Sequence, residues 1–219
     1  MFQPNRMSRS GIGTAISMAE LVYHSVVRQV RKQHNNAFAA IGLNILQAVV
    51  FVGVFYVMFS ILGLRGSAIR GDFTIYIMTG IFLFMMHTKT VSAVAGSEGP
   101  ASAMMQHAPM TTMIAVAASA LGALYIQMLS LVLIMSVYHL AFNPVVLQDP
   151  AGVFFMMMIA WFTGVAVGMV LLAIKPWSPS FTTVFTTVYQ RANMIASGKM
   201  FVANSLPSFM LAMFDWNPL

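Results

Sequence analysis

Residues 37–64 read AFAAIGLNILQAVVFVGVFYVMFSILGL, an apolar run without a single charged side chain. A bilayer core about 30 Å thick is crossed by about 20 helical residues, so this run is long enough to span it as one helix. Four later segments have a similar length and apolar content, although the last is more polar. The predicted spans are residues 37–64, 73–95, 110–140, 153–174 and 181–201, which together define a transmembrane domain of residues 37–201.

The composition supports a membrane protein. Of 219 residues, 59% are hydrophobic and 7% are charged, whereas a soluble domain has about 25% charged residues. A chain with this few charged residues cannot cover a surface that faces water. We therefore predict an all-α integral membrane protein. The absence of cysteine excludes disulfides, thiolate metal sites and cysteine nucleophiles.

The basic residues indicate the orientation. The net charge is +6, and five of the eleven Lys and Arg residues lie within residues 6–32, before the first span. Basic residues mark the cytoplasmic ends of membrane helices, so we predict a multi-pass protein with a cytoplasmic N-terminus. In that orientation Lys89 and Lys175 lie near inner helix ends. No basic face on a folded domain is present, so nucleic acid is not an expected partner.

Residues 1–36 are predicted to form a cytoplasmic tail that contains an amphipathic helix from Ser17 to Arg31. Apolar and polar residues recur there at spacings of three and four, on separate faces. Such a helix is suited to the cytoplasmic membrane interface, and the alternative is an ordinary helix packed on a neighbour. The apolar face contains Met18, Leu21, Val22, Val26 and Val30, and the polar face contains Glu20, His24, Arg28 and Arg31.

Two spans have unusual sequence features. The fifth predicted span contains four threonines, Gln190, Arg191 and Asn193, which is too polar for a helix surrounded by lipid. Either Arg191 extends to the membrane interface, or this face lines a polar pathway. The fourth span contains Gly164 and Gly168, a spacing that permits close helix approach, and we expect it to pack within the subunit.

Two aromatic stripes could contact a sugar chain. Aromatic rings stack on the apolar faces of sugars, and repeated weak contacts would let a long polymer slide. The alternative is that the rings pack against neighbouring helices or lipid. The candidate residues of a translocation path are Phe51, Phe55, Tyr56 and Phe59 on the first span, and Phe181, Phe185, Tyr189 and Arg191 on the fifth.

Two segments outside the spans are also informative. Residues 96–109 form a cytoplasmic connector, which could contain a short helix that contacts a soluble partner or could be plain loop. Residues 202–219 are moderately apolar but are interrupted by Pro207 and Pro218, so a re-entrant segment at the outer face is expected.

Several of these stretches resemble one family. They are YQRANMIASGKMF at residues 189–201, Leu206-Pro207, and WNPL at residues 216–219, together with residues 105–110 of the connector. Their order is similar to that in ABC-2-type transporter permeases, in the branch that exports capsule polysaccharide and lipopolysaccharide O-antigen. That family has six spans, so the resemblance implies a sixth span after Leu219.

The resemblance also implies a function. The chain would be the permease subunit of an ATP-driven exporter that moves a lipid-linked polysaccharide across the bacterial inner membrane. It would form a homodimer and bind a cytoplasmic ABC ATPase, with periplasmic export proteins as further partners. ATP and Mg would bind to the ATPase, and this chain would hold no cofactor. The candidate coupling residues are Glu20 and Arg28 on the amphipathic helix, and Glu98, Gln106 and His107 in the connector.

No pattern indicates catalysis. The five acidic residues are scattered, the histidines lack metal-ligand spacing, and no phosphate-binding G-x-x-x-x-G-K-[ST] loop occurs. We therefore expect a permease rather than an enzyme. Two alternatives are an exporter of a drug, lipid or other small molecule with the same fold, and a non-transport membrane scaffold or intramembrane enzyme.

Overall fold

The computed structural model describes residues 11–33, 37–61, 73–97, 99, 111–142, 144–145 and 149–196. Within these residues the chain is all-helical, as predicted, and contains no strand. The helices are α1 (Gly11–Gln33), α2 (Ala37–Ile61), α3 (Phe73–Ala95), α4 (Thr112–Ala141), α5 (Pro150–Ile174) and α6 (Pro179–Ala196).

Four of the described helices, α2 to α5, are long and apolar enough to cross a membrane. This supports a multi-pass membrane protein. The fifth predicted span corresponds to α6, which is helical but is not among these four, so its membrane crossing stays a prediction. The ends of the first and fifth predicted spans (62–64 and 197–201) lie outside the described residues, as do most of the connector and the re-entrant segment 202–219.

Side-chain caps set the first residues of two helices. The Thr111 side chain accepts a hydrogen bond from the Ile114 N–H at 3.3 Å and begins α4. The Asp149 Oδ1 accepts one from the Gly152 N–H at 2.9 Å, with Pro150 in the first turn. Proline is favoured in the first turn because its missing N–H would have no helical partner there. This cap explains why α5 begins before the predicted residue 153.

Helix α3 is the centre of the bundle. Most of its residues are buried, whereas α2, α4 and α5 each bury fewer than half. The largest apolar cluster joins α2, α3 and α4, with Phe59, Ile81 and Met85 almost fully enclosed. Residues of α3 are therefore well placed to connect the other helices.

The most extensive helix contact is between α3 and α5. A Cβ atom added at Gly164 would lie 2.8 Å from the His87 carbonyl oxygen, and one added at Gly168 would lie 2.7 Å from the Val94 Cβ. Only glycine permits this approach, so the prediction of a packing face within the subunit is confirmed.

Helix α1 packs extensively against α4. Ser25 and Val30 are buried, whereas Glu20, His24 and Arg28 are exposed. The predicted separation into two faces is therefore present, although Met18 is exposed. This contact accords with the alternative that the helix packs on a neighbour, and the interfacial position stays a prediction.

Candidate functional site

A cleft of about 720 Å³ lies between α2, α3 and α4. Much of its wall is apolar, as expected among membrane-spanning helices. Its polar lining residues are Asn44 and Gln47 on α2, Lys89 and Ser92 on α3, and Gln127 on α4. Clefts of this size with a few convergent polar groups are typical ligand sites.

Two amide side chains join α2 to α4 at the cleft. The Asn44 Nδ2 donates to the Gln127 Oε1 at 3.3 Å and to the Ser130 Oγ at 2.8 Å, and the Gln127 Nε2 donates back to the Asn44 Oδ1 at 3.0 Å. Gln127 is only 1% exposed. Because buried amides without partners are costly, this reciprocal pair holds the two helices in register.

Lys89 is the cationic group of the cleft. Its Nζ donates a hydrogen bond to the Gln47 Oε1 at 2.6 Å. The helical rise places it about 9 Å from the end of α3 at Ala95. The described carboxylates are engaged elsewhere, since Glu20 lies 3.9 Å from His24 and Asp149 caps α5. Within the described residues, Lys89 therefore has no anionic partner.

Helix α6 contacts the rim of the cleft through Gln190. The Gln190 Nε2 donates to the Ser92 Oγ at 2.6 Å and to the Thr88 carbonyl oxygen at 3.4 Å. Since Ser92 also lines the cleft, a movement of α6 would change the polar lining of the site.

A second polar link joins α6 to α3 and α5. The Tyr189 hydroxyl donates to the His87 Nε2 at 2.8 Å. With its proton on Nδ1, His87 donates toward the Thr163 Oγ1 at 3.0 Å and the Ala160 carbonyl oxygen at 3.3 Å. His87 is 1% exposed and both of its ring nitrogens have partners. It therefore connects three helices and is not available to a ligand.

The residues predicted for a translocation path on α2 occupy different environments. Phe55 and Phe59 are buried in the cluster of α2, α3 and α4, and Phe59 also makes an edge contact with Phe73. Their placement favours the packing alternative. Phe51 is half-buried and stacks on Phe55, and Tyr56 is partly exposed.

On α6 the predicted path residues are more accessible. Phe181 and Phe185 stack with ring centroids 5.8 Å apart and are 56% and 45% exposed. Arg191 is exposed, whereas Tyr189 is half-buried by its bond to His87. The structure thus places the two phenylalanines together on an open face and separates Tyr189 from them.

The four threonines of α6 bond within their own helix. Each hydroxyl donates to the carbonyl oxygen four residues earlier, at 2.7–3.0 Å. Such bonding hides the donor and lets threonine lie in an apolar environment. The threonines alone therefore do not require a polar pathway, and Gln190 gives the stronger indication of one.

The candidate coupling residues are only partly described. Glu20 and Arg28 are exposed on α1, where a soluble partner could reach them. Glu98, Gln106 and His107 lie outside the described residues. The proposed coupling role of the two groups therefore stays a prediction.

Sequence reasoning missed the cleft itself. The sequence predicts Lys89 only as a marker of the inner side, and it does not predict Asn44, Gln47 or Gln127 as site residues. The available signal was a charged or amide side chain inside an apolar run, which is rare unless it has a partner or a function.

No protein-family model matches the chain, and no curated protein sequence matches it. The resemblance to ABC-2 permeases therefore depends on the stretches quoted above. Of those, the described structure contains residues 189–196, the end of α6. The described features that bear on function are the cleft and α6.

Proposed function

We propose that the chain is the permease subunit of an ABC-2-type exporter, which moves a lipid-linked polysaccharide such as capsule or O-antigen across the bacterial inner membrane. The observation that carries this proposal is the cleft with Lys89 among the membrane-spanning helices. Ionisable residues in such positions are rare and commonly mark substrate pathways. A scaffold would gain nothing from a cation that has no anionic partner among the described residues.

The size of the cleft is informative about the cargo. A volume of about 720 Å³ is suited to a compact group, such as a headgroup with one or two sugars, and not to a folded polymer. A polysaccharide would therefore be handled one short portion at a time. The exposed pair of Phe181 and Phe185 offers flat apolar surfaces for such portions.

Helix α6 is the element best suited to move. It makes limited contact with α3 and α5. Its described polar links include those from Tyr189 to His87 and from Gln190 to Ser92 and Thr88. Breaking a few hydrogen bonds costs much less than separating the α3–α5 glycine contact. Opening along α6 would expose the rim of the cleft while α3 and α5 stay together.

ATP-driven movement would come from a partner. The chain is proposed to form a homodimer and to bind a cytoplasmic ABC ATPase, which holds ATP and Mg. The exposed polar face of α1, with Glu20 and Arg28, supports a contact with such a subunit. Because α1 packs on α4 and Gln127 of α4 lines the cleft, a push on α1 would be passed to the cleft along α4.

The test is export in the cell that produces the protein. Deletion of the gene should remove polysaccharide from the surface and cause it to accumulate inside. Replacing Phe181 and Phe185 together by leucine should reduce export, because the ring faces are lost while the apolar character is kept. The matched control replaces the exposed Phe154 and Phe155 of α5 by leucine and should leave export intact. Normal surface polysaccharide in the deletion strain would contradict the proposal.

A second candidate function is export of a small amphiphile. The cleft favours it in one respect, because its apolar walls and limited volume would fit a drug or a simple lipid. In that case the deletion strain would keep its polysaccharide and instead become sensitive to the exported compound. A membrane scaffold would show neither effect.

A further inference from the structure

We infer that the cleft between α2, α3 and α4 binds the phosphate group of an anionic membrane lipid, and that Lys89 contacts this phosphate. The inference deepens the proposed function and rests on it in one respect, since a lipid-linked cargo carries its anionic group at the membrane interface. The geometry of the cleft points to this chemistry through its hydrogen-bond donors, its charge and its position.

Three side chains of the cleft have hydrogen-bond donors that no described bond uses. The Gln47 Oε1 accepts from Lys89, which leaves the Gln47 Nε2 hydrogens available in the described structure. The Ser92 Oγ accepts from Gln190, which leaves the hydroxyl hydrogen of Ser92 to donate. Lys89 has three N–H groups, and one described bond uses one of them. The cleft therefore offers donors from three side chains, an arrangement suited to an anion.

The amide pair of Asn44 and Gln127, which joins α2 to α4 at the cleft, is already engaged. Asn44 and Gln127 bond to each other in both directions, and the Asn44 Nδ2 also donates to Ser130. These amides hold α2 and α4 in register and are not counted as hydrogen-bond donors to a ligand. The donors for a ligand are therefore concentrated at Lys89, Gln47 and Ser92, near one end of the bundle.

The charge of Lys89 also favours an anionic ligand. A lysine among membrane-spanning helices is costly unless it meets an opposite charge or water. Within the described residues both carboxylates are engaged away from the cleft, Glu20 beside His24 and Asp149 at the start of α5. An anionic ligand would supply the missing counter-charge.

The apolar residues beside the cleft favour a lipid over a soluble anion. Leu43, Leu46 and Val50 line the α2 side of the cleft and are each at least half exposed. They form an apolar margin along which acyl or polyprenyl chains can lie. Lys89 lies about 9 Å from the end of α3, and a lysine side chain can extend from such a position toward the membrane interface. A soluble phosphate would gain nothing from this margin, whereas a lipid phosphate would use both parts of the site.

Two lipids share this chemistry. One is a bulk anionic phospholipid, and the other is a polyprenyl phosphate of the kind that carries growing sugar chains. The test uses the full-length protein in nanodiscs of phosphatidylcholine, with a minor fraction of either phosphatidylglycerol or undecaprenyl phosphate. Native mass spectrometry then counts the anionic lipids that remain bound.

The expected result is selective retention of an anionic lipid that depends on Lys89. Lys89→Gln should weaken retention at least about tenfold, because a hydrogen bond to a charged group is lost. Lys89→Arg should keep most of it. The matched control is Lys175→Gln, which removes a cation that donates to the Ala95 carbonyl oxygen at 3.2 Å, at the same end of the bundle. That variant should retain the lipid as the unmodified protein does.

A second variant keeps the inference testable if Lys89→Gln fails to fold. Ser92→Ala preserves the charge, removes one donor and should reduce retention severalfold. Binding of both anionic lipids would identify a bulk phospholipid as the usual occupant, and binding of undecaprenyl phosphate alone would identify the carrier. Equal retention of anionic lipid by the unmodified protein, Lys89→Gln and Ser92→Ala would overturn the inference, as would an equal loss in Lys175→Gln.

Failure of this inference can be separated from failure of the proposed function. Lipid retention is measured without an ATPase and without export. Loss of lipid selectivity with intact polysaccharide export would reject only the lipid site. Intact lipid binding in a protein whose deletion leaves polysaccharide export unchanged would reject only the proposed function.

Discussion

Replacing Gly164 by alanine should separate α3 from α5 and destabilise the bundle. The added Cβ would lie 2.8 Å from the His87 carbonyl oxygen and 3.0 Å from the Thr90 Cβ. Neither atom is the mobile end of a flexible side chain, so the helices themselves must move. Because His87 donates to Thr163 on α5, the same movement should weaken that hydrogen bond.

The magnitude follows from two opposing effects. Forcing an extra methyl group into a well-packed contact costs about 1–3 kcal/mol. Alanine also stabilises a helix by roughly 0.5–1 kcal/mol relative to glycine. The net destabilisation at Gly164 should therefore be about 0–2.5 kcal/mol. Gly168→Ala should behave similarly, because its Cβ would lie 2.7 Å from the Val94 Cβ.

A matched control is available on α2. A Cβ added at Gly53 meets nothing within 4 Å, so Gly53→Ala carries the helix-propensity effect without the steric one. The assay is unfolding of the full-length protein in mixed micelles of increasing denaturing detergent. The free energy of unfolding of Gly164→Ala should lie about 1–3 kcal/mol below that of Gly53→Ala. Equal values for the two variants would refute the described α3–α5 contact.

Two further predictions concern polar links between helices. Tyr189→Phe leaves the His87 Nε2 without its described donor and should cost about 1–2 kcal/mol in the same unfolding assay, whereas Tyr125→Phe, at an exposed position, should be neutral. A cost at Tyr125 as large as that at Tyr189 would contradict the link. Asn44→Leu and Gln127→Leu should each lower the free energy of unfolding by about 1 kcal/mol. The double variant should lose less free energy of unfolding than the sum of the two single losses. Strict additivity of the two changes would show that the amides do not interact.

The helices could be predicted from the sequence, because bilayer thickness sets the length of an apolar run. Residues 73–95 were predicted as a span and form α3 with the same limits. The start of α5 was placed later than Pro150, because the hydropathy of a run does not register the Asp149 cap. The Gly164 and Gly168 spacing also predicted a packing face correctly, since close approach is a local requirement of that spacing.

The cleft could not be predicted, because it depends on how separate helices are rotated about their axes. Asn44, Gln47, Lys89 and Gln127 each lie alone in an apolar run, and only the tertiary contact of α2, α3 and α4 brings them together. Similarly, the spacing of Phe55 and Phe59 places them on one face of α2 without indicating what that face meets. The structure turns that face toward the core.

Lys89 is informative both about the topology of the chain and about ligand binding. Its position in the sequence predicts a lysine near an inner helix end, where its side chain could reach water. The structure adds the hydrogen bond to Gln47 and the neighbouring Ser92. A residue useful for assigning topology is thereby also the best candidate for binding a ligand.

The chain is proposed to be the membrane half of an ATP-driven exporter, and its purification from the cell shows whether it binds an ATPase. The full-length protein is purified from native membranes under mild detergent, and the preparation is examined for a bound ATPase. We expect a cytoplasmic ABC ATPase in the preparation, whose ATP hydrolysis depends on the permease. A purified protein that folds normally but brings no ATPase with it would contradict the account.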